Sequence, residues 1–194
     1  MTWADARSAS LQALRFPFPA YRPGQRALAG EIYRACAAGK TEHKGGTRLF
    51  CQAPTGVGKT MSALFPALKA IGEGKGEKLF YLTARNTTQA AAEDALQRLH
   101  AGAPGLALRS VTLTAKEKAC LCKDADGHPS CLPEVCPYAK GYFDRVKDAL
   151  ASLLDGAPQF SRAVLEETAR QFTVCPFELG AGSERMVRRH HRRL

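Results

Sequence analysis

Apolar and polar positions along the chain fall into two textures that change near residue 115. Before it, short apolar runs alternate with longer segments of helical period. "RLFCQAP" (48–54), "KLFYLTA" (78–84) and "LALRSVTLT" (106–114) are bounded by turn residues and predict three buried strands. Between them, "KTMSALFPALKAIGEG" from Lys59 and "TTQAAAEDALQRLHAG" from Thr87 repeat apolar residues at helical spacing and end in glycine. Pro66 is expected to kink the first of these helices. Upstream, "RFPFPAYRPGQ" reads as a proline-punctuated loop and "RALAGEIYRACAAG" (26–39) as an amphipathic helix. Strand–helix alternation of this kind predicts an α/β fold with a parallel sheet under helices. Beyond 115 come loops, prolines and most of the cysteines.

The segment "APTGVGKT" (53–60) stands between a predicted strand and a predicted helix, the context in which such a loop binds phosphate. Gly56 and Gly58 let the backbone curl so that the N–H groups of Ala53, Pro54, Thr55, Gly56, Val57 and Gly58, less the proline's, can face one anion. Lys59 would reach the outer phosphates of ATP, and the Thr60 hydroxyl would ligate Mg2+. Gln25 in "YRPGQ" is placed to read an adenine edge with its paired donor and acceptor; the alternative is an exposed amide at a helix start.

Cys120, Cys122, Cys131, Cys136 and Cys175 form a second constellation. One C-x4-C pair with a distant cysteine on either side is loose for zinc, whose sites usually combine two tight pairs. It suits thiolates gathered from separate segments round a larger cluster. Cys36 and Cys51 fall in the predicted first helix and first strand and read as inert core thiols.

In this order, the phosphate loop, "YLTARNTTQ", "LTAKEKAC", "CLPEVCPYAKGYFDRV" and "VCPFE" resemble the iron–sulfur helicases of the XPD/DinG type, over roughly residues 16–179. The resemblance implies a partial RecA-like P-loop parallel sheet, the front of a first helicase domain (1–114), with an inserted, mostly helical [4Fe-4S] domain (115–179). It implies ATP-driven 5′ to 3′ movement on single-stranded or forked DNA by a complete enzyme that is monomeric. The cluster ligands it implies are Cys120, Cys131, Cys136 and Cys175, with Cys122 able to replace Cys120. It lays Thr83, Arg85 and Thr87 along the DNA backbone, where hydroxyl and guanidinium donors suit phosphate contacts. The alternative is a polar turn that caps the next helix, with Asn86, Thr87 or Thr88 as N-cap. Lys116 and Lys118 are further candidate phosphate contacts, and Tyr138, Tyr142 and Phe143 candidates for stacking on bases.

The net charge of +10 fits a polyanionic partner. No apolar run approaches the length of a membrane span, and the start has no signal-peptide pattern, so a cytoplasmic protein is expected. The helicase resemblance calls for a D-E-x-H box, and the sequence contains no Asp-Glu dipeptide. ATP hydrolysis is therefore expected to be incomplete in this chain, and a non-catalytic nucleotide- or nucleic-acid-binding module with a structural metal is the alternative. The likeness stops near residue 180, where "GAGSERMVRRHHRRL" begins. Dropping one base from CGN- and CAY-coded "MVRRHHRRL" permits an apolar "WCDVIIGD", so 180–194 is expected to be a frameshifted tail. The alternative is a genuine basic tail that contacts phosphates.

Overall fold

The computed structural model describes residues 2–38 and 46–189; Gly39 of the predicted helix and 190–194 of the tail lie outside the described residues. The chain divides into two compact units, residues 1–108 and 109–194.

Among the described residues, the first unit holds four helices: α1 (Trp3–Ala13), α2 (Gln25–Ala38), α3 (Lys59–Gly72) and α4 (Asn86–Gly102). α1 opens on a capping box, in which the Thr2 hydroxyl accepts the Asp5 N–H and the Asp5 carboxylate accepts the Thr2 N–H. α3 is apolar nearly all round and keeps Pro66 inside it. α1, α2 and α4 all pack on α3. Leu11 of α1 and its C-cap Leu14, Met61, Leu64, Leu68 and Ile71 of α3, and Ala95 and Leu99 of α4 share one core. α1 runs so close to the end of α3 that a Cβ on Gly72 would stand 2.7 Å from Leu11 Cβ and 2.9 Å from the Gln12 nitrogen. The Gln12 side chain donates to the Gly72 carbonyl at 2.8 Å.

In the second unit, the described residues form α5 (Lys116–Ala119), α6 (Tyr142–Asp155), α7 (Arg162–Phe172), α8 (Pro176–Arg189) and one parallel pair, β1 (Ser110–Val111) with β2 (Gln159–Phe160), on which α7 and α8 pack. The Ser110 N–H donates to Pro158 O and the Thr112 N–H to Phe160 O, both at 3.0 Å. Phe160, Ala149, Ala169, Val174 and Leu179 are fully buried together. Ser161 caps α7 by accepting the Val164 N–H.

The RecA-like parallel sheet is not formed. Among the described residues, the 48–54 and 78–84 runs are in no strand, and the third run contributes only Ser110 and Val111, paired with residues 159–160. A parallel sheet needs helices over both faces. Here α1, α2 and α4 spend their apolar surface on α3, and the two runs are left with Phe50, Phe80 and Leu82 facing solvent. The protein is mainly helical. Cys51, expected in a core, is exposed along with its run, and Cys36 is half-buried.

Replacing Gly72 with alanine should lower stability by roughly 1–3 kcal/mol, because the new methyl meets α1 backbone that cannot step aside. Gly102→Ala, where a Cβ meets nothing within 4 Å, should leave the urea midpoint unchanged or raise it.

Candidate functional site

The 53–60 loop keeps the shape its glycines allow. Gly56 and Gly58 both sit at φ +84°, in the left-handed region, and Gly58 is the N-cap of α3 without a side-chain hydrogen bond to the helix start. The Lys59 ammonium folds back over the loop and donates to the carbonyls of Ala53 at 3.0 Å and Pro54 at 2.8 Å. Thr60 is half-buried, and its hydroxyl accepts a long bond from Tyr81 at 3.4 Å. Thr55 and Gly56 are exposed and Val57 is buried.

Beside this loop lies a cavity of about 330 Å³, lined by Phe18, Arg22, Gln25, Gly58, Thr60 and Arg98 among others. That volume falls at the lower end of small-molecule sites. Gln25 is buried, its carbonyl accepting the Arg22 N–H at 3.0 Å and its amide NH2 donating to Gly58 O at 3.4 Å. An amide has a second N–H and a second lone pair, which remain for a ligand. Arg22 also donates to the Gly56 carbonyl, tying the proline-rich lead-in to the loop. Across the cavity, Arg98 lies over the Phe18 ring at 5.9 Å and is held by Asp94 at 2.8 Å. Arg98 escaped the sequence reading, because on a polar helix face an Asp-to-Arg i,i+4 pair looks like any solvated pair.

The second site is in the other unit. Cys120, Cys122, Cys131, Cys136 and Cys175 all line one cavity of about 250 Å³, with Lys116, Tyr142 and Glu178. Local structure explains how they meet. Cys120 caps the end of α5 and donates its S–H to the Cys122 carbonyl at 2.9 Å. Cys122 and Cys131 stand at the feet of a small turn, where Lys123 pairs with Pro129 and the Asp124 carboxylate accepts the N–H groups of Asp126 and His128. Cys136 is buried in a tight turn, its carbonyl accepting N–H bonds from Ala139 and Lys140. Cys175 precedes α8, and the backbone N–H groups of Glu178 and Phe177 are directed at its sulfur.

Burial pushes the Cys175 thiol up, and those two N–H groups pull it the other way. Cys122 is also raised, by desolvation and then by its neighbour Cys136. Lys116, raised chiefly by its hydrogen bond to Cys131, lies over the Phe177 ring at 5.8 Å. It is therefore occupied at the thiol cavity. The Tyr142 hydroxyl is pushed up to about 12 by burial, Glu178 and Cys175. Tyr138, Tyr142 and Phe143 all line the cavity with the cysteines, and Phe143 is the one largely open to solvent.

The donor set tests the fit of a metal group. Among the described residues, no group of three or more Cys, His, Asp or Glu side chains is gathered for a metal ion. Five thiols instead ring a larger space, which suits a polynuclear cluster held by four thiolates better than a lone tetrahedral ion.

Thr83, Arg85 and Thr87 gather at the start of α4, where Arg85 is the N-cap and its carbonyl accepts the Thr83 hydroxyl at 3.3 Å. Arg85 and Thr87 are exposed. Asn86, Thr87 and Thr88 lie inside α4 and do not cap it. Among the described residues, no helix is long and apolar enough to cross a membrane. Comparison with known proteins adds nothing to these geometries: no family model matches the chain, and no curated protein or solved structure matches it.

Gly58→Ala should damage the loop through two faults at once. Its φ of +84° is unfavourable for alanine, and the added Cβ would lie 2.4 Å from the Gln25 amide nitrogen. The expected result is a loss of about 2 kcal/mol in thermal or urea unfolding. An unchanged midpoint would show that Gln25 moves aside freely.

Proposed function

We propose that the chain binds ATP–Mg2+ at residues 53–60 and a [4Fe-4S] cluster at Cys120, Cys131, Cys136 and Cys175, as the nucleotide- and cluster-holding portion of an ATP-dependent 5′ to 3′ DNA helicase. The observation that carries this is the convergence of thiols from four separate segments on one cavity. Spacing alone says nothing about whether such residues meet. The phosphate loop with its neighbouring cavity supports the nucleotide half.

On this proposal Lys59 exchanges its bonds to Ala53 and Pro54 for bonds to phosphate oxygens, which are charged and hold an ammonium more strongly than carbonyls do. Thr60 supplies a hydroxyl to the magnesium. Phe18, Arg98 and the spare donor and acceptor of Gln25 hold the base. A [4Fe-4S] group supplies structural bracing or one-electron chemistry, while the four cysteines hold it and Lys116 offsets thiolate charge. Single-stranded or forked DNA is the proposed partner, met by Arg85 and its neighbours. Hydrolysis is not assigned to these residues, since the sequence has no D-E-x-H box. That fact favours a second reading, a nucleotide-binding module without turnover.

Titration calorimetry with Mg–ATP should give binding by the parent chain and a loss of about tenfold or more in Lys59→Ala. Anaerobic reconstitution with iron and sulfide should give a brown protein whose broad visible absorbance is bleached by dithionite and is absent in Cys136→Ser. A colourless protein that takes up only zinc would overturn the cluster assignment. Turnover stimulated by single-stranded DNA would overturn the non-hydrolytic assignment.

A further inference from the structure

Cys136 and Cys175 belong to different turns, and one side chain joins those turns. Arg145, in the first turn of α6, donates five hydrogen bonds to four main-chain carbonyls. Its Nη2 reaches Pro137 O at 3.2 Å, Lys140 O at 2.5 Å and Thr173 O at 2.7 Å. Its Nε reaches Phe172 O at 3.1 Å and Thr173 O at 3.2 Å. Pro137 and Lys140 belong to the turn closed on the Cys136 carbonyl. Phe172 and Thr173 end α7, just before Cys175.

Both sides of this grip bear marks of constraint. Thr173 has a φ of +52°, the one left-handed non-glycine residue among the described residues, and a β-branched side chain is held there only by its surroundings. Gly141, at φ +63°, leads into α6 beneath the guanidinium, where a Cβ would lie 2.8 Å from Arg145 Nη1. A planar guanidinium presents its N–H groups in a fixed fork, which an ammonium cannot reproduce.

We infer that Arg145 is a positioning residue that sets the separation of the Cys136 and Cys175 sulfurs before any cluster is bound. The inference rests on the cluster assignment above only for its purpose; the strut itself is a property of the metal-free chain. Simple capping of the last α7 carbonyls would account for the bonds to Phe172 and Thr173. It leaves those to Pro137 and Lys140 unexplained.

The test measures that separation in the full chain with every cysteine except Cys136 and Cys175 changed to serine. Dibromobimane fluoresces when both of its arms are bound to thiols, so its yield reports how often the two sulfurs come within its short reach. Arg145→Ala should cut the yield about tenfold, with helical circular dichroism retained. Arg145→Lys, which keeps the charge and most of the stem, should fail to restore it. A second chain retaining only Cys122 and Cys131, held by their own turn, should give the same yield with and without Arg145.

An unchanged Cys136–Cys175 yield in Arg145→Ala overturns the inference, as does full rescue by lysine. An equal fall in the Cys122–Cys131 pair also overturns it, because that is general loosening. If the alanine variant does not fold, the lysine variant decides by the same yields. Iron reconstitution of the parent chain is scored separately. A parent that takes up no iron yet loses its cross-link on Arg145→Ala refutes the cluster assignment and leaves the strut standing.

Discussion

A helix that is apolar nearly all round has to be covered from every side, and α3 imposes that demand on the first unit. Its cover comes from α1, α2 and α4, and the close approach at Gly72 fixes where α1 can lie. The same helix carries Lys59 and Thr60 on its first turn, so the packing that stabilises the unit also fixes the end of the 53–60 loop. Gln25 extends the coupling. It is buried at the start of α2, and its amide rests against Gly58, leaving no space there for any side chain. A residue that would read a base is thus also a wall of the loop that would hold the phosphates. The cavity beside them is lined by two arginines, Arg22 and Arg98.

The second unit solves a different problem. Its apolar core, around Phe160, Leu165 and Leu179, is made by helices and one short parallel pair, and the cysteines stand at the ends and turns of these elements. Thiols on turns are easy to bring together but hard to keep at fixed distances, since turns have few buried contacts of their own. The structure answers with polar struts. The Asp124 carboxylate closes the turn between Cys122 and Cys131. Arg145 spans the Cys136 turn and the end of α7, and Arg162 reaches the Lys118 carbonyl just ahead of Cys120. Each strut uses main-chain acceptors or donors, so the surrounding side chains are left to line the cavity.

This division decides what the sequence could reveal. α3 and α4 were legible because apolar period, a glycine-rich entry and glycine ends all agreed, and both run close to the residues expected. The strands were not. A short apolar run reads alike as a buried strand or as an exposed connection, and the difference lies in whether neighbours offer a ladder. Runs 48–54 and 78–84 find none among the described strands, while residues 110–111 pair with a segment that carried no strand signal. α1 was missed because its apolar residues form no clear stripe; its capping box, Thr2 with Asp5, was the available cue. The cysteines announced themselves by type. Arg145 had no such signal, because an arginine bound to carbonyls has no partner residue type to pair with in the sequence.

The same logic bears on residues 180–194, expected from the sequence to be foreign to the fold. α8 does not stop at residue 179. It runs on to Arg189, and residues at the start of the segment are packed: Ser183 is 2% exposed and donates to the Gly180 carbonyl at 2.8 Å. Gly180 is buried, and a Cβ added there would come within 3.2 Å of Leu165. The boundary drawn at 180 by loss of resemblance therefore cuts through a helix whose N-terminus abuts Cys175. Resemblance measures shared ancestry of residues, whereas packing measures what the residues present can bury. Gly180 and Ser183 are small enough to let α8 approach α7, and that property survives whatever reading frame wrote the arginines that follow.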